Sequence, residues 1–330
     1  MASLKLRAAA LLSIAALSLT ACGSTASGAA DSSAPATEGG TVTVTDSVGE
    51  VTVTTNPQSV VATDNNSFET LDSWGVELTA GAVALMPTTV SYKDNAQIVD
   101  LGNHREPNLE AVVAAEPDLI ITGSRFTQYT EDFKKLAPEA AVVQVDRIEG
   151  KPLADELKRT TSVLGEVFGK QDEATKLNAD LDAAIERAKS AYDSDQKVMA
   201  VITSGGTVNY AAPGEGRTLG PLFGLLGLTP ALDISDASSN HEGDDISVEA
   251  IASSNPDWIL VMDRDAGTTA SAEEGYTPAN ELLANSAALQ NVTAVKEGNI
   301  VYMPADTYTN EGIQTYTEYL NTLADAFEAK

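Results

Sequence analysis

LEAVVAAEPDLIITGSR at residues 109–125 and VEAIASSNPDWILVMDR at residues 248–264 align without a gap. Each copy opens on an apolar residue and Glu-Ala, runs through a short amphipathic stretch to Pro-Asp, and closes on an apolar run and an arginine. The runs PDLIIT and PDWILV predict short buried strands, too continuous in hydrophobicity for an edge and introduced by a stiffening proline. The residues before each proline suit a short helix whose second residue is Glu110 or Glu249. A carboxylate in the first helical turn complements the helix dipole. Arg125 and Arg264 then emerge just past the carboxyl ends of their strands, where open α/β sheets bind ligands. One unit used twice, each copy aiming a cation at a cleft, predicts a two-lobed binding protein.

The chain has 330 residues, enough for two domains that each bury a core. Lys5 and Arg7 precede an apolar stretch from Ala8 to Leu19, shorter than a membrane span and fitting a secretory signal. It ends in Leu19-Thr20-Ala21-Cys22-Gly23, which resembles a bacterial lipobox. That resemblance implies cleavage before Cys22 and a lipid on its thiol, so residues 1–21 read as a lipoprotein signal peptide. Cys22 is the sole cysteine, which rules out a disulfide within the chain. Residues 22–40, rich in Ser, Ala, Gly and Thr, read as a flexible tether. The expected location is the extracytoplasmic face of the cell membrane, held by lipid.

Twenty Lys and Arg face 48 Asp and Glu, a net charge of −28. Nucleic acid wants a basic face and is excluded as a partner. An anionic ligand would need a local cluster of arginines within this acidic body, because screening confines the repulsion of distant charges to roughly 8 Å at physiological salt.

Alternating Thr and Val over Thr41–Thr54, around Asp46-Ser47-Val48-Gly49, predict a hairpin. Strands are expected at Ser59–Thr63 and Ala141–Val145, and a helix at Ser67–Trp74 ending on Gly75. Residues 41–151 form the N-terminal lobe on this reading. From Pro152 to Tyr192 apolar residues recur at helical spacing, which predicts a helical connector over 152–192, broken near Gly169-Lys170. A C-terminal lobe at 193–330 follows, with strands at Lys197–Thr203 and Asn299–Met303. Its helices are expected at Leu219–Leu226, around Ala279–Ala284, and from about Gln314. Strands alternating with helices mean α/β architecture.

From about Val42 onward the chain resembles the substrate-binding lipoproteins of iron–siderophore ABC importers, and among them the binders of catecholate siderophores. The motifs that carry this are Asp-x-x-Gly in the hairpin, Glu-Pro-Asn-Leu-Glu at 106–110, both Pro-Asp strands, Gly-x-x-Arg at 214–217 and Ala-Val-Lys-x-Gly at 294–298. The resemblance implies two Rossmann-like lobes joined by a single long backbone helix. It also implies three arginines around an anionic iron complex, at Arg125, Arg217 and Arg264. Guanidinium suits that role because it is planar, permanently charged and able to bond catecholate oxygens. By the same resemblance His241 and Tyr308 complete the iron shell when the siderophore offers four oxygens, although the family's Trp-Tyr is Thr307-Tyr308 here. Glu110 and Glu249, one per lobe, would dock on the permease, with Glu106 an alternative in the first lobe.

The expected protein is therefore a monomeric receptor and no enzyme, without an intrinsic cofactor. It would carry a ferric siderophore to an ABC permease and its ATPase. Haem is the alternative cargo, although it asks for an axial Tyr or His in an apolar pocket and not for converging arginines. A secreted hydrolase would need a nucleophile motif, and neither GxSxG nor HExxH occurs. GEGRTLG at 214–220 lacks the ending of a phosphate loop. His241 and Glu242 beside Asp244 and Asp245 could hold a bare metal, but two histidines in the whole chain argue against it.

Overall fold

The computed structural model describes residues 40–234 and 237–330. The signal peptide, Cys22 and nearly all of the tether lie outside the described residues.

Strands β1 (Thr41–Thr45) and β2 (Glu50–Thr54) pair antiparallel as the expected hairpin. Asp46 closes its turn by accepting from the Val48 and Gly49 amides. Five parallel strands follow: β3 (Val60–Ala62), β4 (Ala80–Gly81), β5 (Val99–Asp100), β6 (Leu119–Thr122) and β7 (Ala141–Gln144). Their spatial order is β5-β4-β3-β6-β7, so the direction of winding reverses between β3 and β6. Helices α1 (Phe68–Ser73), α2 (Leu109–Ala114) and α3 (Thr130–Leu136) cover this sheet. Ile120 and Ile121 are fully buried at its centre, which is why β6 carries no polar alternation.

Helices α4 (Leu153–Phe168) and α5 (Gln171–Ala191) occupy the predicted connector. The break falls at Gly169, whose φ of +65° is the left-handed cap that glycine adopts without strain. There the chain reverses, and α5 returns antiparallel to α4, tied by Lys158–Asp182 at 2.8 Å and Asn178–Ser162 at 3.0 Å. Among the described residues, α4 is the one helix that enters both cores. Its Val163, Leu164 and Val167 enter the first core, and its Ala154 and Leu157 enter the second, together with Leu181 and Ile185 of α5.

In the second lobe β8 (Lys197–Ser204) pairs with β9 (Thr207–Tyr210) antiparallel and with β10 (Thr229–Pro230) and β11 (Trp258–Asp263) in parallel. Strand β12 (Ile300–Tyr302) completes the order β10-β8-β11-β12, with winding reversed between β8 and β11. Helices α6 (Gly220–Leu226), α7 (Val248–Ser254), α8 (Ala279–Asn285), α9 (Thr293–Glu297) and α10 (Ile313–Glu328) flank it. The lobes meet where the loop after β3 and the helix α1 that follows it reach residues 309–314. Asn65 donates to the Thr309 carbonyl at 2.9 Å, Thr70 to Gln314 at 2.8 Å, and the Glu311 amide to Asn66 at 3.2 Å. Gly312 is required there, because a Cβ would stand 2.7 Å from the Asn66 carbonyl oxygen.

Candidate ligand-binding site

Both lobes turn a topological switch point, the place where α/β sheets bind ligands, toward a shared cleft. The repeat is more regular in the fold than in the sequence. Both helices α2 and α7 have the carboxylate as second residue and a side-chain cap, Asn108 accepting from Ala111 and Ser247 from Ala250. Glu116 and Asn255, each before its proline, share a φ of +43°. Each arginine is then steadied by the end of the neighbouring strand: Arg125 donates to Asn65 at 2.8 Å and Arg264 to Ser204 at 3.4 Å, sixty residues apart in both cases.

Arg125 follows Ser124, a non-glycine residue held at φ +52°. Two acids fix that turn: Asp64 accepts from the Ser124 hydroxyl at 2.8 Å, and Asp146 from its amide at 2.7 Å. Burial drives the Asp64 carboxyl above its usual range, against the pull of its bonds to Ser67 and Ser124. Arg217 comes from the turn before α6 and precedes Thr218 at φ +65°, a value uncommon for a branched residue. Backbone strain of this kind concentrates at functional sites.

The three arginines converge on one phenol. Their guanidinium carbons lie 5.1 Å (Arg125), 4.9 Å (Arg217) and 4.8 Å (Arg264) from the ring centre of Tyr308. His241, exposed on the loop before α7, stands with its ring 6.4 Å from the same tyrosine. Burial and the Arg264 charge, opposed by Glu242, lower the tendency of His241 to protonate, which leaves it a neutral nitrogen donor. Glu110 and Glu249 are exposed and do not line the cleft.

The arginines differ in their partners. Arg125 has the neutral Asn65. Arg264 bonds the Asp265 carboxylate at 2.8 Å and has Glu242 at 3.9 Å. Arg217 spends Nε and Nη2 on Glu311, at 2.9 and 2.7 Å. Glu311 is buried, yet its pKa is lowered: burial works against ionisation, and Arg217 with Arg147 outweighs it. No sequence pattern pointed to Glu311, Asp265 or Asn65. The cleft measures about 740 Å³ and is lined by Arg125, Arg264 and Tyr308, with Arg217 and His241 outside its lining; it also meets Lys93, His104 and Arg105, three further basic side chains on the N-terminal lobe. None of the three has a carboxylate oxygen within 4.0 Å among the described residues. Among those residues, too, no cluster of three His, Cys, Asp or Glu could hold a bare metal ion, and no helix is long and apolar enough to cross a membrane.

Two α/β lobes, a crossing helix and a charged cleft between them define a two-lobed substrate-binding protein. Residues 60–307 match the periplasmic binding protein family, and the chain belongs to it. It is 27% identical over 278 residues, 83% of each chain, to the petrobactin-binding protein YclQ of Bacillus subtilis. To the ferric-anguibactin-binding protein FatB of Vibrio anguillarum it is 28% identical over 269 residues, 81% of each chain. The structure of the catecholate-siderophore binding protein VctP from Vibrio cholerae superposes with a TM-score of 0.74 at 22% identity, over 88% of this chain and 100% of that one.

Proposed function

We propose that this protein captures a ferric siderophore of the catecholate type in the cleft between its lobes and delivers it to an ABC permease. The observation that carries the reading is the meeting of three guanidiniums around Tyr308. Permanent cations with directional N–H groups suit the phenolate oxygens of an iron catecholate. Tyr308 and the neutral His241 stand beside them as hard and borderline donors for Fe(III) when a tetradentate ligand leaves two positions open. Iron is cargo on this reading, and the protein binds without catalysing. The named relatives support it, since they include binders of petrobactin and ferric anguibactin. A further relative, 23% identical, is an Fe(3+)-citrate-binding protein, so the test must separate these cargoes.

The test is a fluorescence-quenching titration of the soluble chain with ferric catecholates, ferric hydroxamates, ferric citrate and haemin. Tight binding of a catecholate alone is expected. Haemin or citrate binding without catecholate binding overturns the reading. Lipidation at Cys22 would hold the receptor on the outer face of the membrane, and mass analysis of the cell-derived protein checks that. Glu110 and Glu249, exposed and one per lobe, would meet paired permease subunits. Glu249→Ala and Glu110→Ala should leave ligand affinity unchanged and lower uptake into cells; lost affinity with normal uptake sinks the docking assignment.

A further inference from the structure

A siderophore receptor could meet its cargo with bare cations, yet two of the three arginines here carry a built-in counter-anion. Glu311 lies just before α10 with its side chain 7% exposed and takes two donors of Arg217, leaving Nη1 as that arginine's free edge. Asp265 takes one donor of Arg264, Nη1 at 2.8 Å, and its second oxygen is fixed by the Gly205 amide at 2.6 Å. Neither carboxylate can swing away cheaply, since each is anchored from a second side. The Glu311 amide is held by Asn66, its carbonyl accepts from Arg147 at 2.6 Å, and its Oε2 lies 3.9 Å from Arg147. Arg125 alone of the three has no carboxylate oxygen within 4.0 Å among the described residues; its partner is the neutral Asn65.

We infer that Glu311 and Asp265 set the charge of cargo the cleft accepts, favouring ferric complexes of low negative charge over trianionic ones. This rests on the siderophore reading and names which class of that ligand fits. Glu311 and Asp265 each offset one arginine, and Glu242 stands 3.9 Å from Arg264, so the cluster around Tyr308 presents well under three positive charges. A ferric ion with four catecholate oxygens is a monoanion, and with six it is a trianion. In a partly buried site each fixed carboxylate acts on the ligand's charge with little screening, so its repulsion grows with every added negative charge. The two carboxylates thus act as specificity residues that need not touch the iron.

The experiment measures affinities of wild type, Glu311→Gln and Asp265→Asn for two ferric complexes, one with a tetradentate bis-catecholate and one with a hexadentate tris-catecholate. Amide replacements keep the size and the hydrogen-bonding oxygen, and each variant is first checked for cooperative unfolding. Should one variant fail to fold, the other carries the same test. The ratio of tris- to bis-catecholate affinity should rise by about threefold or more in each folded variant, as expected for removing one nearby charge. A purely structural role would weaken both ligands together and leave the ratio in place. A smaller rise, or a fall, overturns the inference while the siderophore reading stands. Failure of wild type to bind either complex overturns both.

Discussion

Arg217 is 28% exposed and its partner Glu311 7%, and that asymmetry decides what a substitution does. Removing the cation leaves a carboxylate buried with only the more distant Arg147 for company. Breaking a fully buried pair costs about 3–5 kcal/mol; partial solvation of Arg217 reduces this to about 1–3 kcal/mol for Arg217→Ala. The pH dependence has a definite sign. Glu311 has a lowered pKa in the folded protein, so its contribution is present above the ordinary value of 4.5 and fades as pH falls through the depressed one. In Arg217→Ala much of that contribution is already gone. The stability gap between wild type and variant should therefore be widest near neutral pH and narrow below about pH 4.5. Denaturant unfolding at both pH values checks this, and a gap independent of pH would show that Glu311 does not depend on Arg217.

At the scale of elements, the repeated segment was readable because burial and capping write directly into sequence. Continuous apolar runs mark β6 and β11, and Asn108 and Ser247 mark the starts of α2 and α7. Strands of two residues, such as β4, β5 and β10, are too short to hold a period and were missed. The arginines were legible from their place after strands, whereas their carboxylate partners were not. Glu311 pairs with a residue 94 positions away, a contact made only by tertiary folding. Likewise the spacing of apolar residues predicted the break at Gly169 but not the close return of α5 along α4. Gly165 permits that return, since a Cβ there would lie 2.7 Å from the Ala174 Cβ and 3.1 Å from the Lys170 carbonyl. Gly165→Val should force the hairpin apart at a cost of about 1–3 kcal/mol, the usual penalty for overpacking. A thermal melt coinciding with wild type would show that the helices can separate without loss. The same variant should leave the cleft arginines in place, because α4 and α5 supply none of them.

Across the whole molecule two electrical scales compete. The chain carries a net charge of −28, while three arginines gather within 5.1 Å of the Tyr308 ring centre between the lobes. An anionic cargo approaching from solution first meets the repulsive far field and feels the arginines only at close range. Salt screens the two unequally. Near 0.1 M the Debye length is about 10 Å, so the far field is largely removed while contacts inside the partly desolvated cleft persist. For most steered pairs, added salt slows association because the long-range field attracts. Here the sign should reverse: the association rate of a ferric catecholate should rise as salt is raised from about 0.01 M to 0.1 M. Dissociation should change less over the same range, since it reports the short-range arginine contacts. Stopped-flow quenching across a salt series measures both rates. An association rate that falls with salt would mean that the arginine patch, extended by Lys93 and Arg105, dominates the path of approach despite the acidic body around it.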